Sequence, residues 1–315
     1  MKVLRTVKGD VRLEKLGLIL PHEHLFTDLD GPDRPGYAVG DPDEVVSVLT
    51  PYLDAAQQAG VTALVECSTG GVGRNVRIMK HIAETTPIHI VAPTGVYREA
   101  FIPKEMRDTP QQALAQEWIK DLTVGIEETD IKAGFIKMAV SDDGPTLLET
   151  RTLKAAAAAS KATGAALASH TIRASSARQE MDILEGEGMD LHRFIWVHAN
   201  AEAGVAEHLE AARRGAYVEF DAVGALFADQ NLLIDYTLAL IEAGYAAQIL
   251  LSHDAGWYQP GRSGGQPEGG IRGYTALVES FLPALRHKGI SEEMIRLLTW
   301  TNPAQAYALI VNNGE

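Results

Sequence analysis

Two histidines one residue apart, His22 and His24 in LPHEHLF, open the chemistry of this chain. In an extended strand, residues i and i+2 project to the same side. Two imidazoles can therefore reach one metal ion, with Glu23 turned outward. Four more residues extend the pattern: Lys137 in GFIKMAV, His170 in GAALASH, His198 in WVHAN and Asp254 in LLSHD. Each ends or interrupts an apolar run, where a polar side chain needs a partner or a ligand. His253, next to Asp254, should point the other way, because strand side chains alternate. Imidazole nitrogens suit zinc, and also cobalt or manganese. Asp254 adds a carboxylate that can bind metal and accept a proton. Taken singly, each residue also has a plain structural use: a satisfied core histidine, a lysine whose head reaches solvent, or an aspartate capping a helix.

Lys137 is the least expected of the six. It stands inside an apolar strand, where an unpaired ammonium costs several kcal/mol. An amine in that setting can add CO₂ and lose a proton to give a carbamate, whose two anionic oxygens can bridge two metals.

The elements that must hold these residues come in a rhythm. Eight β-rich apolar runs occur at 16–24, 61–69, 88–95, 133–140, 164–171, 193–200, 216–223 and 248–255. They are nearly continuously apolar, as parallel strands buried on both faces are. Helix-like segments lie between them. In 41–60, Val45, Leu49, Leu53 and Ala56 recur at helical spacing before Gly60. In 109–122, Thr109 is placed as N-cap and Pro110 as the first helical residue. Segments 149–164 and 202–215 each end on glycine, and 272–309 reads as two closing helices. Eight strands alternating with helices predict a single (β/α)₈ TIM barrel domain spanning 1–315, with its site at the C-terminal mouth. An open doubly wound sheet would carry a Gly-rich phosphate loop after its first strand. This chain has PHEHLF there instead, which also argues against NAD-type redox chemistry.

Composition narrows the partners. A net charge of −14 argues against nucleic acid or an anionic membrane as the main partner. No apolar run reaches the length of a bilayer-spanning helix. The charged N-terminus lacks a signal-peptide core, and a single cysteine, Cys67, excludes an internal disulfide framework. Cytoplasmic residence is the expectation.

With these residues in place, the chain resembles the phosphotriesterase-like family of the amidohydrolase superfamily, with its lactonases and phosphotriesterase-homology proteins. The motifs that carry the resemblance are LPHEHLF, STGGVGRN, PTGVY, GFIKMAVSDDG, GAALASHT, WVHAN, LSHD and TNPAQAYAL. The resemblance implies that His22, His24 and Asp254 bind a buried metal, and that His170 and His198 bind a more exposed one. A carbamylated Lys137 and a hydroxide would bridge the pair. Two divalent ions are implied, zinc first and cobalt or manganese as alternatives. Hydroxide would attack the substrate and Asp254 would carry the proton away. A homodimer is implied as well.

Tyr97 in PTGVY matches a tyrosine that lines the pocket in lactonase members. Lactonases for acyl-homoserine lactones tend to carry Asp-Arg after strand seven. Here Asp221 matches, which makes it a candidate substrate contact, and Ala222 stands where the arginine would be. Some phosphotriesterase-homology proteins have Glu on strand four, whereas this chain keeps Lys137. In the long loop 256–274, Trp257, Tyr258, Arg262 and Arg272 are candidate substrate contacts, the arginines as clamps for an anionic group. Arg74 and Asn75 are expected to brace the loop after strand two. The expected activity is hydrolysis of a carboxylic ester, foremost a lactone, with organophosphate triester hydrolysis on the side. A dedicated phosphotriesterase (aryldialkylphosphatase) or a phosphorylated-sugar lactonase is the alternative. A metal-containing small-molecule binder without catalysis is the alternative outside enzymes.

Overall fold

The computed structural model describes residues 1–311; the end of the expected single domain, 312–315, lies outside the described residues. All eight apolar runs form strands. An N-terminal hairpin, β1 (Lys2–Thr6) and β2 (Gly9–Arg12), precedes them. The barrel strands are β3 (Leu18–Phe26), β4 (Val61–Glu66), β5 (His89–Val91) with β6 (Pro93–Thr94), β7 (Phe135–Ala139), β8 (Leu167–His170), β9 (Phe194–Val197), β10 (Tyr217–Phe220), and β11 (Ile249–Leu251) with β12 (Gly256–Tyr258). A final short strand, β13 (Leu309–Ile310), pairs antiparallel with β1.

The barrel strands pair in parallel as two sets, β12-β3-β4-β5 and β6-β7-β8-β9-β10-β11. The sets meet twice. β5 and β6 are halves of one expected strand, broken at Ala92, whose carbonyl accepts from Gly134 N–H at 2.9 Å. β11 and β12 flank the turn that carries Asp254. There Asp254 N–H donates to the His22 carbonyl at 3.2 Å, and His24 N–H donates to the Ala255 carbonyl at 2.9 Å. The first and last strands are thereby joined.

The apolar strand faces divide into two cores. Ile19, Ala63, Val65, Phe135, Ala168, Ile195 and Leu250 fill the inside of the barrel, closed below by Leu4, Leu13 and Leu16 of the N-terminal segment and by Tyr307. A larger core lies between strands and helices, and it includes Leu49, Leu53, Trp118, Leu153, Trp196 and Leu240. The hairpin had no counterpart in the expected pattern: Lys2 and Arg5 flank Val3 and Leu4, and Asp10 and Arg12 flank Val11, so it reads as too polar for a barrel strand.

Helix ends follow capping chemistry. The helix Leu147–Thr163 starts with a full capping box, Thr146 with Glu149, and ends on left-handed Gly164. The helix Pro42–Gln58 is capped by Asp41. The helix at 111 corrects one expectation. It spans Gln111–Thr123, with Pro110 in the N-cap position rather than inside the helix. Thr109 is not the cap, because its hydroxyl donates backward to the Glu105 carbonyl at 2.9 Å. The two closing helices each contain a π-helical turn, Leu277–Phe281 and Leu297–Thr301. Asn75 caps the helix Val76–Thr85, and Arg74 pairs with Glu127 at 3.0 Å, so both brace the loop as expected.

One glycine sets the spacing beneath the site. Gly95 has φ +101°, and a Cβ there would lie 2.3 Å from the Lys137 carbonyl oxygen. Only glycine allows the strand-three end to approach the lysine strand so closely.

The hairpin contributes core, not decoration. Leu4 is fully buried in the barrel floor, so Leu4→Ala should cost about 2–5 kcal/mol and lower the urea unfolding midpoint. An unchanged midpoint would show that the hairpin is dispensable to the core.

Candidate metal centre

Five strands bring the six expected ligands to one cavity of about 60 Å³ at the barrel mouth. His22, His24, Lys137, His170, His198 and Asp254 all line it, with Tyr97, Trp257 and Cys67. Nitrogen and carboxylate atoms of His22, His24 and Asp254 lie within 4.8 Å of one another. Asp254 Oδ1 is 3.1 Å from His24 Nε2 and 3.7 Å from His22 Nε2. It is buried and makes no hydrogen bond. A buried carboxylate oxygen without a donor, facing two imidazole nitrogens, suits a cation between them.

The far nitrogens of three histidines are held from behind. His22 Nδ1 is 2.7 Å from Glu219 Oε1, His24 Nδ1 is 2.8 Å from Ser68 Oγ, and His198 Nδ1 is 2.9 Å from Asp221 Oδ1. An Nδ1–H donated outward leaves the Nε2 lone pair for metal. His170 is the exception, with Nδ1 3.0 Å from the Tyr97 hydroxyl. Its ring centroid is 4.4 Å from that of His198. Burial, together with the neighbouring His198 and Lys137, holds His170 well below the ordinary imidazole range, so it stays a neutral imidazole.

Lys137 is 2% exposed and has no salt-bridge or hydrogen-bond partner among the described residues. The His170–His198 pair has no free carboxylate of its own. Asp221 lies near, yet it is spent on His198: Oδ2 accepts the His198 backbone N–H at 2.9 Å and Oδ1 faces its ring. Against its burial, His198 and His22 hold the Asp221 carboxyl well below the usual range. The donor set therefore fits one metal completely and a second only if Lys137 supplies oxygen.

The expected substrate residues divide. Tyr97 and Trp257 line the cavity. Trp257 packs on His24, ring centroids 4.5 Å apart, and its Nε1 donates to the Asp254 carbonyl at 3.1 Å. Asp221 corrects an expectation: it is 1% exposed and anchors histidines from behind, so it cannot contact substrate. Tyr258 is buried against Phe26, away from the cavity. Trp257, Arg262 and Arg272 line an outer cleft of about 870 Å³, together with exposed Leu226 and Phe227. Arg272 Nη2 is tied to the carbonyls of His253 (2.9 Å) and Asp254. Arg262 pairs with Asp30 at 3.0 Å on the exposed rim.

Three supporting residues escaped the sequence pattern: Glu219, Ser68 and Glu180. Glu219 lies on buried β10, two residues before Asp221, which directly follows the strand, the kind of signal that singled out Lys137. Glu180, on the helix Ala174–Gly186, accepts from the hydroxyls of Ser169 and Thr171, which flank His170. Burial pushes its carboxyl up to about 8, and does the same to Glu66. Folding thus takes up protons that the unfolded chain has released above the usual carboxylate range. The stability from these groups is complete in acid and fades as pH rises through about 8. Glu180→Gln should flatten the fall in unfolding midpoint between weakly acidic and weakly alkaline buffer. An identical slope in wild type and variant would show that Glu180 does not titrate this way.

Comparison with known proteins agrees with this geometry. The phosphotriesterase family profile matches residues 2–307. The phosphotriesterase homology protein of Escherichia coli is 31% identical over 300 residues, covering 92% of this chain and 98% of that protein. The N-acetyltaurine hydrolase of Bos taurus is 27% identical, covering 96% and 97%. A mutant of a PTE-like lactonase from Deinococcus radiodurans superposes with a TM-score of 0.86 at 29% identity, covering 96% of this chain and 99% of that one. A barrel with this ordered ligand set, matched across nearly its whole length, places the chain in the phosphotriesterase family of hydrolases.

Proposed function

We propose that this protein is a two-metal hydrolase of carboxylic esters, foremost lactones, with organophosphate triester hydrolysis as a weaker side activity. The observation that carries the reading is Asp254 Oδ1, buried, without a hydrogen bond and facing the Nε2 atoms of His22 and His24. Two divalent ions, zinc in the first instance, would lower the pKa of a water toward neutrality and polarise the C=O or P=O under attack. His22, His24 and Asp254 would hold one ion, His170 and His198 the other. Lys137, after adding CO₂ and losing a proton, would offer a carbamate oxygen to each.

The chain's own residues supply the rest. Asp254 receives the proton of the attacking water. Trp257 shields one side of His24 from water, and Tyr97 closes the side by His170. The cavity is too small for a whole substrate, so the scissile group enters it and the remainder lies in the outer cleft. A lactone and a phosphotriester both gather charge on one oxygen in the transition state, which is why one site serves both.

The similarity to N-acetyltaurine hydrolase favours a second reading, amide hydrolysis by the same machinery. A dedicated phosphotriesterase, a phosphorylated-sugar lactonase and a metal-containing binder remain the competing assignments. Elemental analysis beside a panel of γ- and δ-lactones, phosphorylated sugar lactones, N-acetyltaurine and paraoxon separates them. About two zinc-like ions per chain with selective lactone turnover is the expected result. Turnover only of N-acetyltaurine or of paraoxon would move the assignment. Metal without turnover of any ester or amide would favour the binder. Cytoplasmic residence and a homodimer belong to the same reading; among the described residues no helix is long and apolar enough to cross a membrane.

Two substitutions test the roles. Lys137→Ala should lose metal and activity, with partial recovery in short carboxylates, and retention of two metals with full turnover would remove the bridging role. Asp254→Asn should keep most metal while the rate falls roughly 10²-fold or more. An unchanged rate across the pH range would deny Asp254 the proton.

A further inference from the structure

Strand β10 gives the site no metal ligand, yet it stands directly behind two of them. Glu219 and Asp221 alternate with Phe220, which turns to the outer core against His208 and Tyr236. Both carboxylates point into the barrel and are buried, at 0% and 1% exposure. Glu219 Oε1 takes His22 Nδ1 at 2.7 Å, and Asp221 Oδ1 takes His198 Nδ1 at 2.9 Å. Asp221 Oδ2 also lies 3.4 Å from His22 Nδ1, but the shorter Glu219 contact is the one that takes that ring's single N–H. Glu219 Oε2 is buried without any partner, so this carboxylate makes its one contact with His22.

A neutral imidazole carries one N–H. A carboxylate at Nδ1 keeps the proton there and leaves Nε2 as a lone pair. His22 Nε2 is the atom on the Asp254 side. With the proton on Nε2 instead, His22 would present hydrogen to the cation.

We propose that β10 sets metal affinity one ion at a time, Glu219 through His22 for the buried ion and Asp221 through His198 for the exposed ion. Both are positioning residues, since neither reaches the cavity. The inference rests on the two-metal reading above. The two anchors also differ in kind. Asp221 additionally holds the His198 backbone N–H at 2.9 Å, so it fixes where the ligand's chain runs as well as its proton. Glu219 acts on the ring alone.

The test is zinc affinity, not turnover. Metal-free wild type, Glu219→Gln and Asp221→Asn are reloaded with zinc against a chelating indicator. Anomalous scattering from crystals of each shows which position is filled. Glu219→Gln should weaken one ion about 10- to 100-fold, the range for loss of such a partner, and leave the other at wild-type affinity. Asp221→Asn should weaken the complementary ion. Glu219→Asp, which keeps the charge but withdraws the oxygen from His22, should weaken the same ion as Glu219→Gln. It also serves if the neutral variant does not fold.

Equal affinity of both ions in Glu219→Gln and wild type would overturn the proposal. Equal weakening of both ions by either substitution would overturn it too, because that is what a shared field of negative charge would do. A wild-type chain that takes up no zinc would overturn the two-metal reading itself, a result distinct from both.

Discussion

A single carboxylate, Glu23, joins the first barrel strand to the last at the height of the metal site. Its Oε1 accepts from Ser252 Oγ (2.8 Å), His253 N–H (3.1 Å) and His253 Nδ1 (2.5 Å), and its Oε2 accepts from Ala255 N–H at 2.9 Å. His253 Nε2 in turn accepts from Leu277 N–H at the start of a closing helix. A fully buried carboxylate is tolerable only when its lone pairs are met. Here every donor belongs to residues flanking Asp254, at roughly 1.5–3 kcal/mol per hydrogen bond to a charged group. The middle residue of the His-x-His motif therefore grips the turn that presents the third ligand. Two candidate ligands on one strand and one at the end of another become a rigid trio because of what lies between the two.

Half of the strained non-glycine backbone lies beside the same cavity. Among the described residues, six non-glycine positions have positive φ, and three of them are His198 (62°), Asp254 (51°) and Trp257 (78°). The left-handed region costs an L-residue roughly 1–2 kcal/mol. At Asp254 the cost is offset by Glu23 on both sides and by Arg272, which holds the carbonyls of His253 and Asp254. At His198 it is offset by Asp221, which holds both backbone and ring. Strain at candidate site residues, sustained by surrounding hydrogen bonds, is what a pre-organised site requires.

The barrel, and the gathering of the six candidate ligands at its mouth, are legible in the sequence for a simple reason. Each ligand interrupts or ends an apolar run, and parallel strands buried on both faces leave few other places for polarity. Glu219 and Asp221 interrupt such a run equally, yet a carboxylate can face a substrate, a metal or another side chain. Only register decides, and the alternation around Phe220 puts both behind the histidines. Arg272 looked like a clamp for an anion because a loop arginine has no partner in one dimension; in three it braces the backbone. The N-terminal hairpin was missed because it is half polar, and its apolar half finds the barrel floor only once the barrel exists.

The trio also has a history in time. Glu23 and Ser252 are 229 residues apart. At the usual pace of translation, roughly 5–20 residues per second, His22 and His24 leave the ribosome some ten to fifty seconds before Asp254 is made. Until then β3 is an edge strand, open on the side that β12 will cover, with two imidazoles and no third ligand. Open edges are where chains pair wrongly. For this protein the last strand brings both the third candidate ligand and the cover, so completing the trio and covering that edge are one event.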